Sequence, residues 1–220
     1  MVICGGINSE EHRTAMVYQH FTGKMTSRDY LKYALFSLME EKSILRITVT
    51  ELCDRAMLNR TTFYINYESL DKFFSAVMQE LLDGLMPYAN NHGELAAALK
   101  SRELMLRQHI HWFQFVRDHY GEFRLLLGPN GLPHFRERLK ETGISECMAF
   151  FSNSVPLKHE TVPLDVLAAY VVNARLGLLD YYLTGGMKYS PEYMAELSMD
   201  LMTKGPYTLL GLYQEDPLSP

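Results

Sequence analysis

Residues 47–74 read ITVTELCDRAMLNRTTFYINYESLDKFF, and this stretch decides the fold. Thr48 and Glu51 stand three apart, the spacing at which a hydroxyl and a carboxylate each satisfy an orphan backbone donor at a helix start. Val49, Leu52, Cys53 and Ala56 then fall on one helical face. Met57 and Leu58 interrupt, and Asn59 is a good N-cap for a further helix to about Tyr67. The pattern predicts two short helices joined by about three residues, a helix-turn-helix. On the second, Phe63 and Tyr67 are four apart and share the inward face. Arg60, Thr61 and Tyr64 point elsewhere, with Thr62 near the boundary.

Upstream, "TSRD" places a hydroxyl three residues before an acid and opens a helix over Thr26–Lys42. Its face is Leu31, Ala34, Leu35, Leu38 and Met39, at helical spacing, and "SILRI" interrupts it. Downstream, Ser69 opens a fourth helix with Phe73, Phe74, Val77, Met78, Leu81 and Leu82 inward, which Gly84 and Pro87 end or kink. Residues 1–25 show no period and are expected to form a mobile extension, so the domains fall at 26–74 and 75–220.

The remainder also reads as helix. A long pattern runs from Leu95 to Tyr120, a shorter one covers "GEFRLLLG", and "PNGLP" is a turn. Segments at about 134–142 and 144–153 follow, then a long apolar helix over about Pro163–Leu183 and a last one from about Pro191. "YANNHGE" and "SVPLKHETVP" read as loops. No strand signal of useful length occurs, so the expected fold is all-α.

The net charge of -5 and pI of about 5.9 argue against binding nucleic acid over the whole surface. The charge is uneven: 26–74 hold seven basic and seven acidic residues, 75–220 twelve and seventeen. An anionic partner meets less repulsion at the N-terminal third. Three distant cysteines without metal-ligand spacing suit a reducing, cytoplasmic setting. The most apolar window carries Asp165, Asn173, Arg175 and Asp180, too polar to span a bilayer, so no membrane association is expected. His109 and His111, two apart on a helix, point apart and do not chelate together. No HExxH, GxSxG, P-loop or GxGxxG pattern is present, and no enzyme activity, cofactor or metal is expected.

The residues of 59–67 leave two readings open. Arginine, threonine and tyrosine can meet guanine, a thymine methyl and a phosphate; the same side chains also suit an ordinary solvated face. At this point the chain resembles a family. The run Ile47–Phe74 is similar to the DNA-binding signature of TetR/AcrR-type transcriptional regulators, and the likeness spans about Thr26–Leu82. "FVRDHYGEFRLLLGPNGLPHFRERL" and "YVVNARLGLLDYYLTGGMKYSPEYMAELSMDLMTKG" resemble a sub-branch common in low-GC Gram-positive bacteria.

The resemblance implies a three-helix helix-turn-helix domain joined by a fourth helix to a C-terminal helical bundle that dimerises. It implies double-stranded DNA as partner, at a palindromic operator, with repression relieved by a ligand. It places Thr48, Thr50 and Tyr64 on phosphate, Arg60, Thr61 and Thr62 on bases, and Phe63 and Tyr67 in the core. The family's turn glycine is Met57 here, a strained choice where φ is positive. Leu70 stands where the family often has a phosphate-binding lysine, with Lys72 two positions on. These two departures favour a rival reading, a helical dimer with a vestigial helix-turn-helix that binds a protein.

In the C-terminal part, Leu167, Val171, Leu176, Leu179, Met194, Leu197 and Leu201 form an apolar stripe on the last two long helices, suited to a homodimer interface. His109, Trp112, Phe113, Phe123 and Phe150 offer walls for a small apolar ligand, or ordinary core packing.

Overall fold

Reciprocal caps open the first two helices. Thr26 Oγ1 accepts from the Asp29 N–H while the Asp29 carboxylate accepts from the Thr26 N–H at 2.8 Å, and α1 runs Ser27–Glu41. Thr48 and Glu51 repeat the arrangement for α2, Val49–Ala56, with a 3-10 turn at Ile44–Arg46 between. These contacts come from a computed structural model that describes residues 25–85, 101–154 and 163–211, with only the backbone of 150, 153 and 154. Residues 1–24, the loop at 88–94 and most of that at 154–163 lie outside the described residues. α3 is Arg60–Asn66, α4 Leu70–Leu85, α5 Arg102–Asp118, α6 Tyr120–Leu127 and α7 Phe135–Ser154. α8 is Leu164–Thr184, α9 Pro191–Lys204 and α10 the short Pro206–Leu209. The chain is all-helical, without a strand among the described residues. Nor is any helix among them long and apolar enough to cross a membrane.

The chain divides into two compact units. One is formed by the described residues up to 82 together with 118–137, the other by those of 83–117 and 138–220. Segment 118–137, which the sequence reading assigned to the second domain, therefore packs with the helix-turn-helix. Asn130, in the turn after α6, does much of this work. Its side chain donates to Met39 O at 3.0 Å and its carbonyl accepts from Ile44 N–H at 2.9 Å. Arg124 pairs with Glu40 on α1. The first core joins Leu31, Leu35, Leu38 and Met39 of α1 to Leu52, Phe63 and Phe73, and contains Phe123, Leu126 and Phe135. Phe63 has no exposed surface, and burying such a ring stabilises by roughly 1.5–3 kcal/mol.

The second unit holds most of α5, most of α7, and α8–α9. α4 continues through Gly84 to Leu85 instead of ending there. The glycine has another purpose: a Cβ would stand 2.3 Å from the Phe115 ring, so its absence lets α5 approach. Gly143 does not break the helix either, and one helix spans both expected segments. A single glycine costs about 1 kcal/mol relative to alanine, too little to end a helix whose flanking residues pack.

α8 turns Ala168, Val172, Leu176, Leu179 and Leu183 inward, and α9 turns Met194, Ala195 and Met199 inward. Leu176, Leu179 and Met194, read from sequence as interface, are thus core of their own unit. Three of the seven stripe residues thus face inward, because α8 carries apolar residues on its inner face and on part of its outer one. Leu167, Val171, Leu197 and Leu201 keep partial exposure. The outward face of α8 carries Val166, Tyr170, Gly177 and Tyr181.

Candidate nucleic-acid interface and a second polar cluster

The turn between α2 and α3 closes on Met57. Its N–H donates to Asp54 O at 3.2 Å and the Leu58 N–H to Cys53 O at 2.9 Å, with Met57 at φ 54 and ψ 38. This is a Schellman closure, whose left-handed position normally takes glycine. The expected strain is present, and the turn forms in spite of it. The Met57 side chain is 92% exposed, so no packing compensates.

α3 follows, its first free N–H groups capped by the Asn59 side chain, which accepts from Thr61 N–H at 2.8 Å. Phe63 packs edge-to-face on Phe73 and against Tyr67, fixing which way the helix faces. Arg60, Thr61 and Tyr64 stand in solvent, with Thr62 half-buried. Ile65 joins them at 78% exposure. Sequence reasoning passed over Ile65, although it lies four residues from Thr61 and shares that face.

The pairing of charges sorts the cations. Arg28 and Lys32 bind Glu80, Lys42 binds Glu51, and Arg55 binds Glu41. Among the described residues of 25–82, Arg46, Arg60 and Lys72 have no carboxylate partner. All three are exposed, before α2, at the start of α3 and in the first turn of α4. Arg46 was missed from sequence because an isolated arginine beside a 3-10 turn carries no pattern. Asp54, Glu68 and Asp71 are unpaired as well, so the face offers placed cations and not a net positive field.

Thr50 is exposed with its hydroxyl uncommitted. Thr48 differs: its hydroxyl and N–H both donate to the Glu51 carboxylate, at 2.8 and 3.0 Å. Those hydrogen bonds, with the Lys42 ammonium first, hold the Glu51 carboxyl down to about 2. Thr48 is therefore a cap whose donors are spoken for, while the Thr50 hydroxyl is left available to solvent.

The proposed pocket residues separate. Phe123 is buried in the first unit near Phe135, and the Phe150 side chain lies outside the described residues. His109, Trp112 and Phe113 do come together in the second unit, where they line a small cavity with Arg175, Leu178 and Ser198. It offers about 10 Å³, the space of about one water. Arg175 keeps some exposure as a residue, but its charged end is desolvated. It donates to His109 Nε2 at 3.2 Å. An arginine has no acceptor, so Nε2 carries the lone pair, and Nδ1–H donates to Met105 O at 2.8 Å. Burial, then the Arg175 charge, push the His109 pKa to about 4, so the ring is neutral at ordinary pH. No group of three or more His, Cys, Asp or Glu suited to a metal occurs among the described residues.

Residues 105–204 match a TetR-type family model described as "Transcriptional regulator C-terminal region". Over 188 residues the chain is 23% identical to YxbF of Bacillus subtilis (strain 168), an uncharacterized HTH-type transcriptional regulator. The match takes in 82% of this chain but 46% of the relative, so the chain spans about half the length of the curated protein it matches. Among solved structures, a Clostridium perfringens protein provisionally named a fatty acid metabolism regulator superposes with a TM-score of 0.59 at 14% identity, over 80% of this chain and 97% of that one. The dihydroxyacetone kinase operon activator DhaS gives 0.52 at 10% identity, over 82% and 96%. At these identities the two structures speak to the fold alone.

Proposed function

We propose that the chain is a TetR-type transcriptional regulator and not an enzyme, a reading supported by the family model over residues 105–204 and the Bacillus subtilis relative, and that it binds operator DNA through α3 and acts as a ligand-responsive repressor. The observation that carries this reading is the division of α3: Phe63 wholly buried, and Arg60, Thr61, Tyr64 and Ile65 exposed on the same seven residues. In a major groove, Arg60 pairs with guanine, Thr61 and Ile65 meet thymine methyls, and Tyr64 bonds a phosphate. Thr50, Arg46 and Lys72 add backbone contacts that position the helix, with Thr62 at the margin. The closed turn at Met57 counts against a vestigial helix-turn-helix, since the departure from glycine leaves the geometry standing.

The homodimer belongs to the same proposal. Val166, Tyr170, Gly177 and Tyr181 on α8, flanked by Leu167, Val171, Leu197 and Leu201, form a face suited to a second copy. Two copies would set two recognition helices about 34 Å apart, matching successive major grooves of a palindrome. A ligand held in the second unit would shift the population toward a DNA-incompetent conformer. A hundredfold loss of affinity needs about 2.7 kcal/mol of preference. A cytoplasmic location follows from that task.

The test is selection of random duplexes by the full-length chain at two salt concentrations. An enriched inverted repeat with a steep salt response supports the reading; no enrichment at low salt refutes it. Gly177→Arg tests the dimer without touching the protomer, because a Cβ there meets nothing within 4 Å. Sedimentation should show monomers, and a dimer that persists removes α8 from the interface. A reporter fused to the selected site decides repression against activation.

A further inference from the structure

We propose that Arg175 anchors a site for a small organic carboxylate with a flat apolar body. The inference deepens the ligand-responsive reading above and rests on it. A guanidinium out of water is costly unless a carboxylate faces it. Among the described residues Arg175 has no such partner. Its one hydrogen bond goes to a neutral imidazole, which occupies a single donor of five. Cys147 is the acidic group close enough to act on the guanidinium, and burial keeps its thiol protonated. The guanidinium therefore sits with no carboxylate bonded to it among the described residues, the nearest anion in the cluster being Glu146, which acts on Cys147.

The surroundings of that charge define the rest of the ligand. Trp112 and Phe113 of α5 and Leu178 of α8 supply apolar walls, and Ser198 of α9 adds a buried hydroxyl. A carboxylate can take two parallel N–H bonds from the fork, a stronger arrangement than the present single one. It would displace His109 Nε2 from Arg175. An aryl or similarly flat body would then lie against the aromatic walls. With space for about one water, the walls must part to admit it, so binding is coupled to a change in how α5, α8 and α9 pack.

The experiment compares benzoate with benzamide, equal in size and different in charge, on the full-length chain at constant ionic strength, by thermal unfolding and calorimetry. Benzoate should bind at least about tenfold more tightly than benzamide. In Arg175→Met the two should bind within about twofold of each other, while the variant alone unfolds no lower than the parent, because an unbalanced cation has been removed. Equal binding of the two probes by the parent overturns the proposal, as does a benzoate preference that survives in Arg175→Met. Chloride that protects as well as benzoate overturns the flat-body claim. Should Arg175→Met fail to fold, Arg175→Lys serves: charge without the fork should weaken benzoate several-fold, and unchanged affinity overturns the assignment. DNA selection on the same preparation separates the two readings. Selectivity for DNA with no benzoate preference sinks the site alone, and the reverse result sinks the regulator reading alone.

Discussion

Met57→Gly should stabilise a protein from which it removes a whole side chain. The side chain is 92% exposed, so its loss forfeits almost no burial. The backbone at φ 54 and ψ 38 costs an L-residue roughly 1–2 kcal/mol. Glycine escapes that strain but gains freedom in the unfolded chain, an opposing effect of about 0.5–1 kcal/mol. The balance is a gain of about 0.5–1 kcal/mol. With a urea slope of about 2 kcal/mol per molar, the midpoint rises by about 0.3–0.5 M. The assay is urea unfolding followed by circular dichroism at one fixed protein concentration, since association would itself move the midpoint. Met57→Val is the matched control. It is as exposed but branched at Cβ, and should fall below the parent by about 1 kcal/mol or more. A glycine variant no more stable than the parent, or a valine variant equal to it, refutes strain at this turn.

Four further outcomes are expected. Thr48→Ala removes the hydroxyl half of the cap on α2, keeping the backbone N–H bond to Glu51, and should cost about 1 kcal/mol by urea unfolding at neutral pH. Glu51 is held at about 2, below its usual 4.5, so its contribution is present above 4.5 and fades as pH falls toward 2; in Lys42→Met the loss should start at the same pH, be smaller and be complete at a higher pH. His109 is lowered from 6.5 to about 4 by burial and by Arg175 of α8, with Cys147 of α7 beside that guanidinium. Below 6.5 the unfolded chain takes a proton that the folded chain refuses, so stability falls by up to about 3 kcal/mol between pH 6.5 and 4 and is full above 6.5. His109→Gln should flatten that slope, and a slope left intact places the proton elsewhere. Tyr64→Phe should weaken all duplexes alike, because a phosphate bond carries no sequence information; a loss confined to one operator variant contradicts the role.

Much of the first unit was legible because its signals are local. "TSRD", "TVTE" and Asn59 each satisfy donors within three residues, and chain order alone reveals them. The positive φ at Met57 was legible only through the family resemblance, whose turn glycine Met57 replaces. The side of the α8 stripe was not, since a helix with apolar residues on more than one face does not say which of them meets its own core. Arg175 was invisible as a site: an arginine in an apolar run reads as a polar interruption until His109, 66 positions away, comes within 3.2 Å of it. Phe123 was grouped with Phe113 by composition, and the fold assigns them to different units.

That misgrouping bears on how the first unit is held. Residues 118–137 lie far from α1 in sequence, yet Asn130 bonds the last turn of α1 through its side chain and the 3-10 turn through its carbonyl. Gly131 beside it allows the close turn, since a Cβ would stand 2.0 Å from Leu126 O. The 3-10 turn ends two residues before the Thr48 cap, so α2 begins from a position that Asn130 helps to set. The helix-turn-helix is therefore not self-contained. Its upstream frame is bonded to a segment whose helix begins directly after α5, the helix that carries His109, Trp112 and Phe113. Asn130→Ala should leave the Met39 carbonyl without its partner and destabilise the first unit by about 1–3 kcal/mol. Hydrogen exchange should show the protection lost first in the last turn of α1 and the 3-10 turn. Protection unchanged there would mean the three native helices hold their own frame, and the 118–137 segment would be mere cover.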